Sequence, residues 1–167
     1  MKKIGIFYGS TTGTTEDVAE GIAKRLGVDK KDIHNVADTA PSALGDYDVI
    51  VIGASTWNDG DLQEDMATFL DGAGALDLRE KEVAIFGCGD EQMASTFCNS
   101  VGEIYHRLHD THAMFIAPFE NDPYAYEHSD SDVKGMIVGL CLDNVNHPED
   151  TDARLDAWCE IIKEEIK

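Results

Sequence analysis

A chain of 167 residues can bury a sizeable core yet is short enough that one compact domain, 1–167, is expected. Its hydrophobic share of 43% argues against disorder, and it has no apolar run long enough to cross a bilayer. With 33 Asp and Glu against 13 Lys and Arg, the net charge of −20 disfavours nucleic acid, which needs cations to displace phosphate counterions. Such a field favours encounter with basic protein surfaces, or else acts only as a solvated face.

Met1-Lys2-Lys3 leads straight into an apolar strand over Lys3 to Tyr8, too short and too polar at its end for a secretory signal, so a cytoplasmic location is expected. Val18, Ile22 and Leu26 recur at helical spacing between Thr14 and Leu26. A weaker strand at Ile33 to Val36 precedes the β-branched run Asp48 to Gly53, which reads as a buried parallel strand, as does Glu82 to Gly87. Leu62 to Leu70 offers a short helix between them. A second amphipathic helix carries Phe97, Val101, Ile104, Tyr105 and Leu108 and ends near His109. Ala113 to Ala117 and Met136 to Leu142 are apolar segments parted by the polar stretch Asn121 to Asp132. A last helix from about Asp150 buries Leu155, Trp158, Ile161, Ile162 and Ile166. Repeated strand, loop and helix with short connections predicts an α/β three-layer sandwich: a doubly wound, five-stranded parallel sheet with helices on both faces.

In such a sheet ligands bind outside the carboxyl ends of the strands, and three loops there are unusual. The first, Gly9 to Glu16, carries five hydroxyls in the six residues Ser10, Thr11, Thr12, Gly13, Thr14 and Thr15. Hydroxyls and orphan amides at a helix N-terminus make a phosphate cradle, although a Ser/Thr-rich cap alone is the simpler alternative. No GxxxxGK[ST] or GxGxxG pattern is present, so neither a triphosphate loop nor a dinucleotide fold is indicated. The second loop holds Ser55, Thr56, Trp57, Asn58, Asp59 and Gly60. A tryptophan in a polar turn at a ligand-binding edge is a candidate to stack on a planar ligand, or else it covers its own loop. The third, Gly87 to Ala94, offers Cys88, Gly89, Asp90 and Met93, with glycines that let the backbone approach a heterocycle.

Cys88, Cys98, Cys141 and Cys159 form no CxxC pair and read as buried free thiols. His106, His109 and His112 are spaced by three and could form a metal face if the helix ran through them. Ser10 lacks the GxSxG context of a hydrolase nucleophile.

These three loops in this order, above all the GSTTGTTE and TWNDG segments with Leu62 and Gln63, resemble those of flavodoxins across essentially the whole chain. The broken fifth strand resembles the long-chain branch of that family. The resemblance implies a non-covalent FMN and one-electron transfer. Its phosphate would lie on Ser10 to Thr15 and its ring between the second and third loops. Trp57 would cover one face, while Met93 stands where many members have a tyrosine, which implies a more open ring. It also implies that the peptide after Trp57 turns over on reduction, presenting the Asn58 carbonyl to the ring. Asp59, Asp61, Asp90 and Glu91 would then surround a reduced, anionic ring and lower its second potential. The implied partners are basic faces of redox proteins such as a flavodoxin or ferredoxin reductase, with no membrane. The alternatives are a flavin-dependent NAD(P)H or quinone oxidoreductase of the same fold, and a phosphoacceptor receiver domain. The latter wants an acidic cluster where the first loop has hydroxyls.

Overall fold

The computed structural model describes residues 1–167. In chain order the strands are β1 (Ile4–Gly9), β2 (Ile33–Asn35), β3 (Val49–Trp57), β4 (Asp61–Leu62), β5 (Glu82–Cys88), β6 (Met114–Ile116), β7 (Asp132–Val133), β8 (Met136–Ile137) and β9 (Leu140–Leu142). The helices are α1 (Thr14–Leu26), α2 (Glu64–Ala73), α3 (Asn99–Leu108) and α4 (Thr151–Glu165).

The main sheet runs β2-β1-β3-β5, and its fifth position is shared by two segments, every pairing being parallel. β6 lies beside the first half of β5, pairing Glu82 with Met114, and β9 beside the second half, pairing Cys88 with Leu142. The chain leaves the sheet at Ala117 and returns at Leu140, making a small antiparallel hairpin of β7 and β8 on the way. The fifth strand is therefore broken as the sequence implies. Met136 to Leu142 is not one apolar strand but β8 and β9, separated by Val138 and Gly139.

Alternate residues of each strand feed opposite layers, which is why the strands read as continuous apolar runs. Phe7, Ile50, Ile52, Val83 and Ile85 pack with Met66 and Leu70 of α2 and Val101 and Ile104 of α3. Ile6, Tyr8, Val51, Ala84 and Phe86 pack with Val18 and Ile22 of α1 and Leu155 and Ile162 of α4. Trp158 is fully buried in the second layer, edge-on to Phe86 at 6.3 Å, and its indole N–H donates to the Ala117 carbonyl at 2.9 Å.

The excursion between β6 and β9 is clamped by Arg154 at the start of α4. Its Nη1 donates to the Asp122 carbonyl at 2.8 Å, and its Nη2 donates to the carbonyls of Glu120 and Cys141 at 2.9 and 3.0 Å. The same guanidinium lies over the rings of Phe119 and Tyr124, at 5.0 and 4.6 Å from their centroids. A lone arginine in an apolar helix stripe is thus accounted for by the carbonyls of an irregular segment that no ladder would satisfy.

Some boundaries differ from expectation. The strand expected to stop at Gly53 continues to Trp57, because β4 folds back on it and pairs Thr56 with Leu62 and Trp57 with Asp61. α2 starts at Glu64 rather than Leu62, since the Gln63 side chain accepts from the Met66 amide and caps it. α3 starts at Asn99 and ends at Leu108, leaving Phe97 ahead of it. No helix is long and apolar enough to cross a membrane. All four cysteines are free and buried, as the sequence implied.

Candidate functional site

The first loop turns into α1 through Gly13, whose φ of 96° is open to glycine and strained for other residues. Ser10 Oγ accepts from the Gly13 amide at 3.0 Å and closes the turn. A glycine at the cap position has no side chain to offer the helix, so the amides of Thr14, Thr15 and Glu16 point outward without a side-chain partner. Around them Thr11, Thr12 and Thr14 are exposed. This donor set, with amides at the positive end of a helix dipole and neutral hydroxyls, matches an anion such as a phosphate monoester.

Thr15 behaves differently from its neighbours. It is fully buried, and its Oγ1 lies 2.7 Å from Ser55 Oγ, so its side chain ties α1 to β3 while its amide stays at the helix end. Thr56 Oγ1 accepts from the Ser100 amide at 2.9 Å and so anchors the start of α3. In the sequence these hydroxyls stand alongside the ligand-facing ones; here Thr15 and Ser55 join the first loop to the second, and Thr56 joins the second to α3.

The second loop is the β3–β4 hairpin. The Gly60 amide donates to the Trp57 carbonyl at 3.1 Å, with Asn58 at φ 48° and Gly60 at φ 103°. A positive φ at the first central residue is the sign a primed turn requires, a position that favours glycine and tolerates asparagine. A Cβ on Gly60 would stand 3.0 Å from Asn99 Nδ2 and 3.1 Å from Thr96 Cγ2, so the hairpin tip rests on the approach to α3. The indole N–H of Trp57 is buried with no acceptor. A groove of about 650 Å³ runs along the α2–α3 side of the hairpin and is lined by Thr11, Trp57, Asp61, Glu64, Glu103 and Arg107.

The third loop follows β5. Cys88 is buried, and burial pushes its thiol up to about 12, so it stays protonated at neutral pH. The Gly89 amide donates to the Leu142 carbonyl at 2.8 Å. Asp90 Oδ1 accepts from the Gln92 amide at 2.9 Å and from Asn146 Nδ2 at 2.7 Å. Met93 is 41% exposed, one of few large apolar side chains left open to solvent.

Gln63 carries more of the site than its sequence position disclosed. It is 1% exposed; Oε1 caps α2, while Nε2 donates to Thr11 Oγ1 at 3.2 Å and to Asp65 Oδ2 at 2.9 Å. One amide thereby joins the first loop to the second. The available signal was a buried-capable amide directly before an apolar helix and directly after a hairpin. The histidine spacing does not form a face: His112 lies beyond α3 at φ 64°, and the two close groupings of a histidine with carboxylates both involve His147 instead.

The strand order and the hydroxyl-lined helix N-terminus beside the half-buried Trp57 define an α/β protein whose sheet offers a site for a phosphorylated, planar ligand at its carboxyl edge. The flavodoxin family model matches residues 6–158, and the chain belongs to the flavodoxin family. The flavodoxin of Haemophilus influenzae is 35% identical over 168 residues, covering 99% of this chain and 97% of that protein. Flavodoxin 1 of Escherichia coli K12 is 36% identical over 172 residues, covering 99% and 96%. Among solved structures, Fusobacterium nucleatum flavodoxin bound to flavin mononucleotide superimposes with a TM-score of 0.90 at 27% identity, covering 99% of both chains.

Proposed function

We propose that the chain, 1–167 as one unit, is a one-electron carrier that binds FMN without a covalent bond and passes electrons between redox proteins. It is an electron-transfer protein rather than an enzyme. None of the likenesses favours the oxidoreductase alternative. The observation that carries the reading is the glycine-capped N-terminus of α1, whose outward amides sit in a collar of exposed hydroxyls.

Bound FMN supplies reversible uptake of electrons by its ring. The chain's own residues do the rest. Ser10, Thr11, Thr12, Gly13 and Thr14, with the amides of Thr15 and Glu16, hold the phosphate. Ser55 and Thr56 fix the level of the second loop against α1 and α3. Trp57 and Met93 would stand at the two faces of the ring, where the partly exposed Met93 thioether can pack on an aromatic surface. The backbone of Asn58, Asp59, Gly60 and Gly89 would meet the ring's polar edge, and the protonated Cys88 would add no charge there. Asp90, with Asp59 and Asp61, keeps the surroundings negative, which disfavours further negative charge on the ligand.

The partners on this reading are basic faces of redox proteins. Parallel strands put helix N-termini and strand ends at one edge, where the first turns of α1 and α2 carry Glu16, Asp17, Glu64 and Asp65. The opposite edge takes Lys2, Lys3 and Lys81 near strand starts, and Lys24, Arg25 and Lys163 in the last turns of α1 and α4, but there Lys2 pairs with Glu82, Arg25 with Asp152 and Asp156, and Lys163 with Glu160. On a chain of net charge −20, an acidic edge beside the site draws a cationic partner during diffusional approach. A cytoplasmic location is part of the same proposal.

Titrating the cofactor-free protein with FMN tests the reading. One equivalent should quench both flavin and tryptophan fluorescence, with Trp57→Ala removing most of the tryptophan response. Unchanged fluorescence of both would overturn it.

A further inference from the structure

The third loop is held less by its own turns than by a seam to two distant segments. Glu91 is the centre of that seam. Its amide donates to Asp143 Oδ2 at 3.0 Å, its Oε2 accepts from the Ala125 amide at 2.9 Å, and its Oε1 lies 2.7 Å from His147 Nε2. Gln92 Nε2 adds a bond to Asn146 Oδ1 at 2.9 Å, and Asn146 in turn bonds Asp90. Asp143 is fully buried, and its two oxygens accept from the amides of Glu91, Val145 and Asn146 and from Asn146 Nδ2. With its acceptor positions taken by protein N–H groups, this cluster is built as a hydrogen-bonded strap, not an ion cage.

His147 is the member of the strap that titrates near neutrality. The groups facing it are Glu91 from the third loop, Asp143 from the turn after β9, and Glu149 and Asp150 from the turn before α4. From the excursion the Tyr124 ring lies 5.5 Å away, with the Arg154 guanidinium over that same ring. The second ring nitrogen, Nδ1, is 3.6 Å from Glu149 Oε1 and 3.9 Å from Asp150 Oδ2. A neutral imidazole that donates to Glu91 turns a lone pair toward those two carboxylates, whereas the imidazolium donates on both sides.

We propose that His147, acting through Glu91, is a positioning group that holds residues 89–94 where they cover a bound flavin, and that FMN binds more tightly when this imidazole is protonated. The inference rests on the FMN reading above and adds a control to it. The hydrogen bond that His147 donates to Glu91 raises the His147 pKa, and the Ala125 amide, followed by His147, draws the Glu91 carboxyl down. Both shifts favour the charged pair, His147 as imidazolium and Glu91 as carboxylate.

Reciprocity between proton and ligand provides the test: if protonation tightens FMN binding about fivefold, FMN must raise the His147 midpoint by about 0.7 pH unit. The imidazole C–H resonance of His147 is followed against pH with and without FMN, and flavin quenching in the same samples reports occupancy. The expected result is a midpoint that rises on loading, and that falls in cofactor-free Glu91→Gln. In His147→Gln, which keeps a neutral donor, the FMN Kd relative to wild type should be about threefold to tenfold weaker near pH 6 and close to wild type near pH 9. Comparing the two proteins at each pH cancels titration of the FMN phosphate itself. Quenching with an unmoved midpoint, or a Kd ratio constant across pH, overturns the coupling alone. Absence of quenching overturns the flavin reading first and the coupling with it.

Discussion

The hydroxyls of Thr15 and Ser55 lie 2.7 Å apart, joining the first turn of α1 to β3 where the first and second loops leave the sheet. Thr15 is fully buried, so removing its oxygen leaves Ser55 with an unmatched partner rather than a solvated one. Thr15→Val, close in shape, should cost the cofactor-free protein about 1–3 kcal/mol. Urea unfolding would show this as a lower midpoint at constant slope; an unchanged midpoint would mean the contact contributes nothing.

The hairpin tip makes the opposite prediction. Asn58 sits at φ 48°, a conformation that glycine adopts freely. Asn58→Gly should ease rearrangement of the 58–59 peptide and shift the first one-electron potential of the FMN-loaded protein upward by about 20–40 mV, the electrical equivalent of several-fold in an equilibrium constant. Redox titration in which both potentials match wild type would remove this peptide from the tuning of the flavin.

Charge around the ring is separable from shape. Asp61→Asn and Asp90→Asn keep size and most hydrogen bonds while deleting one negative charge each. At separations on the order of 10 Å in a mixed protein and water environment, each should raise the second potential by roughly 10–40 mV, and less at high salt. Potentials independent of both substitutions and of ionic strength would leave these carboxylates as solvated surface only.

Arg154 offers a test of the excursion. Its replacement by methionine strands the carbonyls of Glu120, Asp122 and Cys141, which no neighbouring strand can serve. A loss of about 2–4 kcal/mol is expected. Hydrogen exchange should accelerate first between residues 118 and 126, with β1 and β3 protected until global unfolding.

The pH dependence of stability has a local contributor at His34. Its ring stacks on Phe7 at 4.9 Å, its Nε2 lies 2.6 Å from Tyr47 Oη, and burial lowers its pKa. A depressed pKa means the unfolded chain binds the proton more readily. The neutral form's contribution is therefore complete above about pH 6.5 and shrinks as pH falls through that value toward the folded pKa. The stability difference between wild type and His34→Gln should narrow between about pH 7 and pH 5. A constant difference would show that His34 titrates alike in both states.

The parts of this structure legible in advance are those with one dominant physical signal. Val49 to Ile52 and Val83 to Phe86 are apolar without alternation, which only a strand covered on both faces explains, and they lie at the centre of the sheet. The hydroxyl-rich turn before α1 was equally readable. What could not be read was partnership across distance. Nothing in a row of threonines separates Thr15, turned inward to Ser55, from Thr12 and Thr14, left exposed. β4 is two residues long and exists only because the turn at Asn58 to Gly60 returns the chain to β3. The roles of Gln63 and Arg154 depend on orphan amides and carbonyls that appear only once the backbone is placed.

The division of each strand between two layers has a consequence for how the chain avoids misfolding. Sliding β1 by a single position relative to β3 would push Phe7 into the space shaped for Ile6, and Ile6 into the place of Gly5, where even a Cβ would meet the Tyr47 ring at 2.6 Å, spoiling both sides of the sheet in one step. An out-of-frame pairing therefore has no intact half to stabilise it. Correct alignment at the middle of the sheet is thus checked on both of its faces at once.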